Sequence, residues 1–321
     1  MLMLDYPLVS CIVTLFNSEH RVLPLLRILS GLDYPNYEVI LVDDASGDAT
    51  SGLVDDFLLA YSGSARFDFV HNESNQGVSF SRNRGIELSG GEILVFFDDD
   101  DLPDPGRVTC HARALTPEIG SLAIHFVSST KTYPNGYVLS CSAPRGLERV
   151  TGGQIARFLL LGEGQNSEGK FFAFPASTMA ITRRVIAMVP GFNPNYRRSE
   201  DSEFVLRAVE AGAKILGSSE NLVERASTIG DLGSRDSSIP YEFRLLRDFG
   251  VRYLTRKERI SAQKWLYIRE AWFNNSVPTL IYQLIVLSLL SPIFVFQKLR
   301  FVVFPRLLHE RNAIRIRSSQ L

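Results

Sequence analysis

The first hundred residues alternate short apolar runs with longer stretches in which apolar positions return every three or four residues. Leu8 to Leu15 is a β-branched run that predicts a strand, and Arg21 to Gly31 follows with Val22, Leu23, Leu26 and Leu29 at helical spacing before a glycine stop. Tyr37 to Val42 predicts a second strand, and Leu53, Phe57 and Leu58 mark the core face of the helix after it. Phe67 to His71, Gly77 to Leu88 and Glu92 to Phe97 continue the series as strand, helix and strand. Such alternation predicts an α/β fold with a mostly parallel central sheet flanked by helices. Further on, Leu122 to Ser128 and Tyr137 to Cys141 predict a hairpin turning at Tyr133-Pro134-Asn135-Gly136. A mobile loop after a short helix is expected within Thr151 to Lys170, a strand over Ala176 to Thr182, and a helix over Ser202 to Ala211 closed by Gly212. Beyond about Gly230 the pattern turns to charged amphipathic helices, at Tyr241 to Phe249 and Lys257 to Phe273.

Composition narrows the function classes. The 321 residues are 45% apolar and 21% charged with a net charge of −1, enough for one large α/β domain with an appendage and too neutral for a nucleic-acid reader. An anionic substrate must therefore be held by a local site. Three cysteines, Cys11, Cys110 and Cys141, with no C-x-x-C spacing, argue against a disulfide framework and a structural zinc, which suits a reducing compartment. The segment before Leu8 has no basic n-region, so no cleaved leader is expected and the catalytic part is placed in the cytosol.

Candidate chemistry concentrates where two of these strands end. Asp43-Asp44 closes the second strand, and Asp98-Asp99-Asp100-Asp101 follows the apolar run ending in Phe96-Phe97. In mostly parallel sheets ligands sit at the carboxyl ends of strands, so both clusters are expected at one mouth. Four adjacent carboxylates repel one another unless a cation or hydrogen-bond donors neutralise them. Oxygen-only ligands suit Mg2+ or Mn2+ held together with substrate phosphates. The plainer alternative for each cluster is capping of the next helix, which Ser46 and Asp48 also serve.

In order along the chain come Val9-Ser10-Cys11-Ile12-Val13-Thr14-Leu15-Phe16-Asn17, Val42-Asp43-Asp44-Ala45-Ser46-Gly47-Asp48, Asn75-Gln76-Gly77 with Ser81-Arg82-Asn83-Arg84-Gly85, the Asp98 to Asp101 run, and Gly191-Phe192 before Ser199-Glu200-Asp201-Ser202-Glu203. With these five signals the chain resembles the family 2 glycosyltransferases, inverting enzymes of the GT-A (nucleotide-diphospho-sugar transferase) fold, from about Pro7 to Gly217. The resemblance implies that Thr14, Phe16 and Asn17 line the base pocket and that Asp44 accepts a hydrogen bond from the nucleobase. It sets Arg82 and Asn83 near the donor, Arg82 either on diphosphate oxygens or in a salt bridge across the mouth. Asp98 would meet ribose or metal-bound water, Asp99 and Asp101 would support, and Asp100 would bind the metal that offsets charge on the departing nucleoside diphosphate. Asp201 would be the general base that takes the acceptor hydroxyl's proton. Glu200 and Glu203 compete for that role, and all three acids also suit the first turn of a helix. The Q-x-x-R-W run of processive members is absent, which implies transfer of a single sugar, UDP-linked in the family's common case, to a glycan or lipid-linked saccharide. A catalytically idle nucleotide-sugar-binding or scaffold protein of the same fold is the alternative.

Val277 to Phe296 carries no charge, a length that just spans a bilayer core of about 30 Å. Lys298 and Arg300 follow it, then a tail with Arg306, Arg311, Arg315 and Arg317. One crossing would separate that basic tail from a cytosolic catalytic domain, so a re-entrant or interfacial helix bent at Pro292 is expected, on the cytoplasmic face of a membrane. A buried helix on the catalytic domain or on a dimer partner is the other possibility. The expected division is a transferase domain over 1–230, an amphipathic helical extension over 231–275 and an apolar, membrane-associated segment with a basic tail over 276–321.

Overall fold

A computed structural model describes residues 6–132, 138–144, 151–161, 174–226 and 238–299. Two compact units form, the first from 1–131, 140–155 and 164–226, the second from 132–139, 156–163 and 227–321.

The first unit is built on a mixed sheet. Strands β1 (Val9–Leu15), β2 (Tyr37–Asp43), β3 (Arg66–His71) and β4 (Ile93–Asp98) alternate with helices α1 (Val22–Leu29), α2 (Thr50–Ala60) and α3 (Val78–Leu88), as the apolar periodicities predict. β1 is buried at every position, and β2 and β4 at all but one. Covered on both faces, these central strands read as continuous apolar runs where a half-exposed strand would alternate. Val9, Cys11, Val13 and Leu15 share a core with Leu25, Leu26 and Leu29 of α1. On the other face α3 lies so close to β1 that a Cβ on Gly85 would come within 2.5 Å of the Ile12 side chain.

Next come β5 (Asp101–Pro103), α4 (Arg107–Leu115), β6 (Ala123–Thr132), β7 (Val138–Cys141), α5 (Gly152–Leu161), β8 (Met179–Thr182), α6 (Arg183–Met188), α7 (Glu200–Glu210) and β9 (Lys214–Ala226). The sheet runs β3-β2-β1-β4-β8-β6-β9-β5, with β7 paired to β6. Pairing is parallel from β3 to β4, but β4–β8, β6–β8 and β5–β9 are antiparallel. The sheet is therefore parallel only from β3 to β4, where one helix crosses over between successive strands. The β6–β7 pairing matches the expected hairpin strands, whose turn lies outside the described residues. Ala176–Thr178 forms a 3-10 turn ahead of the β8 strand, begun by the Thr178 N–H donating to the Pro175 carbonyl at 3.0 Å. The loop expected within Thr151 to Lys170 begins as α5, and 162–170 lie outside the described residues.

The second unit holds α8 (Ile239–Tyr253), α9 (Arg256–Phe273), α10 (Val277–Leu290) and α11 (Pro292–Lys298). A capping box between Thr255 and Glu258 starts α9, and proline sits in the first turn of α8, α10 and α11, where its missing N–H is harmless. Leu246, Leu266, Ile268, Leu287 and Phe294 form its core. The apolar run expected as one helix over 277–296 breaks at Ser291, ahead of Pro292, and no described helix is long and apolar enough to cross a membrane. Val277, Ile281, Tyr282, Ile285, Leu289, Ile293 and Phe296 are exposed. The basic residues from Arg300 onward lie outside the described residues.

Candidate active site

Register aligns the strand ends. Thr14 is opposite Asp98 across β1 and β4, Leu15 is opposite Asp43 across β1 and β2, and Asp43 is opposite His71 across β2 and β3. Both acidic clusters therefore occupy the carboxyl edge of the parallel half.

At the first cluster hydrogen-bond donors surround each carboxylate. Asp43, buried at the end of β2, accepts from the Ser46 N–H and hydroxyl, the latter at 2.5 Å, and from the Ser51 hydroxyl at 3.0 Å. Asp44 accepts from the Asn72 amide at 2.7 Å and from the N–H groups of Gln76 at 2.9 Å and Gly77 at 2.7 Å. It thereby fixes the loop entering α3. Asn17, left-handed at φ 50°, staples the two neighbouring loops, its N–H donating to the Ser46 hydroxyl and its side-chain oxygen accepting from the Gly47 N–H, each at 2.9 Å. Ala45 and Ser199 hold left-handed backbone beside the same edge, a conformation uncommon outside glycine that here recurs at the turns carrying the candidate residues. The Thr14 side chain is buried and the Phe16 ring is exposed at the rim.

The second cluster divides. Asp99 turns toward the β1–α1 loop, accepting from the Phe16 N–H at 3.0 Å and from the Ser18 hydroxyl, with Arg21 at 3.9 Å. The other three face together: Asp98, Asp100 and Asp101 each present a carboxylate oxygen within 4.8 Å of the others. Asp100 is exposed at the surface, yet desolvation by the surrounding protein, reinforced by the charges of Asp98 and Asp99, pushes its carboxyl up to about 6. Burial and Asp98 push Asp101 still further above the ordinary carboxylate range. Its Oδ2 is buried without a hydrogen-bond partner. Three convergent hard oxygens, one of them unmatched, fit a divalent cation such as Mg2+ or Mn2+.

Arg82 is buried between the two walls, donating from one terminal nitrogen to Asp98 at 2.7 Å and from the other to Glu200 at 2.8 Å, 5.1 Å above the Phe192 ring. Although burial opposes its charge, those two carboxylates hold its pKa above the usual value. Asn83 grips the Phe192 backbone with both ends of its amide, at 2.8 and 2.7 Å. Gly191 is left-handed at φ 49°, and a Cβ there would run into the Asn83 amide at 2.2 Å. Glycine is required on both counts.

The same contacts separate the acids of α7. Glu200 is paired with Arg82, and Glu203 accepts from Arg207 at 2.8 and 2.7 Å and from the Asn193 amide at 3.2 Å. Among the described residues Asp201 accepts only from the adjacent Ser202 N–H, at 2.6 Å. Burial and the neighbouring Glu200 push its carboxyl up to about 7.

Two residues that the sequence reading passes over belong to this site. Arg225 on β9 faces Asp101 on β5 in the antiparallel register, its Nε 3.7 Å from Asp101 Oδ2. Arg107 lies fully buried behind the acids, donating to the Phe96 carbonyl at 2.7 Å and covering the Phe97 ring at 4.2 Å. β9 (Lys214–Ala226) carries apolar pairs only near its ends, around a polar 217–221 stretch, a pattern with no sustained strand period to place Arg225.

The model of glycosyl transferase family 2 matches residues 10–185. An uncharacterized glycosyltransferase of Haemophilus influenzae is 37% identical over 205 residues, 63% of this chain and 62% of that one. The amylovoran biosynthesis glycosyltransferase AmsB of Erwinia amylovora is 33% identical over 209 residues, 64% of this chain and 65% of its own. The chain thus spans less than two thirds of the length of these relatives. Among solved structures, S. aureus TarS 1-349 in complex with UDP-GlcNAc superposes with a TM-score of 0.59 at 19% identity, over 86% of this chain and 79% of that one. The mannosyltransferase PcManGT from Pyrobaculum calidifontis, in complex with GDP-Man and Mn2+, superposes with a TM-score of 0.61 at 16% identity, over 98% and 86%. At these identities the likeness carries the GT-A fold.

Proposed function

The chain belongs to glycosyl transferase family 2, and on that premise we propose that it is a metal-dependent inverting enzyme. It moves one sugar from a nucleoside-diphosphate sugar to a hydroxyl of a glycan or lipid-linked saccharide in cell-surface polysaccharide or glycoconjugate synthesis. The observation that carries this reading is the pairing of a three-carboxylate cluster with one separate acid, Asp201, free of side-chain partners among the described residues. An idle scaffold would have no need for either.

In this reading Asp201 accepts the acceptor hydroxyl's proton, its raised pKa bringing it near neutrality as a general base. The hydroxyl oxygen bonds to the anomeric carbon while the bond from that carbon to the phosphate oxygen breaks, its electron pair leaving with the nucleoside diphosphate. Asp98, Asp100 and Asp101 would hold the divalent cation, Asp100 as the principal ligand and Asp98 also toward ribose. The ion supplies Lewis-acid stabilisation of the charge on the departing diphosphate. Thr14, Phe16 and Asn17 border the base pocket. Asp44 already accepts three hydrogen bonds, so it can meet a base N–H only with the remaining capacity of Oδ2. Arg82 and Asn83 serve the donor by placing Asp98, Glu200 and the Gly191–Phe192 turn. Asp99 holds the Phe16 loop against the run.

Relatives named for polysaccharide synthesis support the acceptor class, and neighbours bound to UDP-GlcNAc and GDP-Man support a nucleotide sugar while leaving the base open. UDP is the first candidate. The exposed apolar residues of α10 and α11 support association with a membrane surface, which suits a lipid-linked acceptor, and a nucleotide-sugar donor would set that surface on the cytoplasmic face. In this reading 1–230 is the catalytic domain, 231–275 a helical extension and 276–321 the membrane-associated segment. Calorimetry with UDP, GDP and dTDP, in Mn2+ and in chelator, tests the core of the reading. One nucleotide binding only with the metal is the expected result, and no binding of any by folded protein would overturn it.

A further inference from the structure

The acid trio already has a cation against it. Arg225 Nε lies 3.7 Å from Asp101 Oδ2, beyond hydrogen-bond reach, and both atoms are buried without a hydrogen-bond partner. The arrangement is unusual because a buried donor and acceptor this close normally close up, and leaving both unmatched is costly. Arg82, which also meets Asp98, differs in that both its terminal nitrogens are bonded to carboxylates, although its Nε too is buried without a partner. Among the described residues the Arg225 side chain makes no hydrogen bond. It is held by charge alone, from Asp101 and Asp98 first and Asp100 after them. Such a pair neutralises the trio loosely and can be exchanged.

We propose that Arg225 is the trio's built-in counter-cation, displaced when a divalent ion takes Asp98, Asp100 and Asp101, and that its freed guanidinium then binds the diphosphate of the donor. This rests on the nucleotide-sugar reading above. Two opposite consequences follow for one side chain. Without nucleotide, Arg225 repels an incoming ion and weakens its binding. With the ion in place, a planar guanidinium beside the trio strengthens binding of a diphosphate, for which its fork geometry is suited. Ion and nucleotide are then coupled through Arg225, each tightening the other by the same factor.

Titration calorimetry of the full chain with Mn2+ alone, and with UDP, GDP or dTDP at saturating Mn2+, tests this in the wild type, Arg225→Gln and Arg225→Lys. In Arg225→Gln, Mn2+ alone should bind tighter and the nucleotide weaker, each on the order of tenfold. Arg225→Lys should keep wild-type Mn2+ affinity and recover part of the nucleotide affinity, and it still decides the matter if the glutamine variant fails to fold. Weaker or unchanged Mn2+ binding in Arg225→Gln, or Arg225→Lys behaving as wild type toward both ligands, overturns the exchange. If the wild type binds neither Mn2+ nor any nucleotide, the donor reading itself falls, and the inference with it. Normal wild-type binding with an indifferent Arg225→Gln sinks the inference alone.

Discussion

Asp43-Asp44 and Asp98 to Asp101 end strands of one sheet and look alike in sequence, yet the structure treats them in opposite ways. The carboxylates of the first pair are buried against hydroxyls, an amide and backbone N–H groups that fix two loops. Of the second group Asp99 has comparable donors and Asp98 accepts from Arg82, whereas Asp101 Oδ2 is buried without a partner. Asp98, Asp100 and Asp101 crowd together, and Asp100 and Asp101 are pushed toward their neutral forms by desolvation and by the charge of Asp98. An acidic cluster is thus a fastening where donors converge on it and a potential ion site where they do not.

Substitutions can break that contrast. Asp100→Ala should have the largest effect, removing metal-dependent nucleotide binding and lowering turnover on the order of 10⁴-fold, the several kcal/mol a Lewis acid contributes. Radiolabelled sugar transfer with calorimetry on the same sample measures both, and near-normal turnover would end the distinction. Asp201→Asn should lower turnover by roughly 10³-fold while nucleotide binding is retained, as loss of a general base does. Loss of binding as well would make Asp201 part of the donor site. Asp44→Asn should act on stability, by roughly 1.5–3 kcal/mol in urea unfolding, because an amide group would face a backbone N–H where a charged oxygen accepts.

The smallest effect carries the opposite sign. The Asp100 carboxyl is pushed up to about 6 in the folded state, so its stability contribution is complete only below the unfolded pKa of about 3.9 and is lost progressively as pH rises from there through 6. Because Asp100 is exposed and screened by solvent, in chelator Asp100→Asn should raise the melting temperature only slightly at pH 7.5, by about 1 °C, by less at pH 5, and not at pH 4. Asp44→Asn should lower it at all three. A fall at pH 7.5 for Asp100→Asn would mean that the trio is a fastening after all.

The half of the fold that was legible is the half in which each strand carries its own apolar run and each helix its own period. Placement of both clusters at one edge followed from that alternation. Their division did not, because it depends on partners far along the chain: Ser18 for Asp99, Gln76 and Gly77 for Asp44, and Arg225 for Asp101. β5 is three residues long and exists only by pairing with β9, so the bend that turns Asp101 inward left no local trace. Pro292 was a local signal and did mark a break. Arg82 is the intermediate case, since its two terminal nitrogens join Asp98 to Glu200 and so complete the salt bridge that the sequence left as one of two options.

That link also governs how the molecule can be recombined. Arg82 and Asn83 on one helix hold Glu200 and the Phe192 turn, and Ser79 on the same helix donates to the Tyr196 carbonyl at 3.2 Å. Residues 191–210 are therefore not a cassette that can be exchanged by themselves. A chimaera that imports residues 191–210 from a relative must import the matching faces of residues 79–83 with them. Otherwise Arg82 loses Glu200 and is left beside Asp98, and a graft meant to change one wall would disturb the acid cluster on the other first.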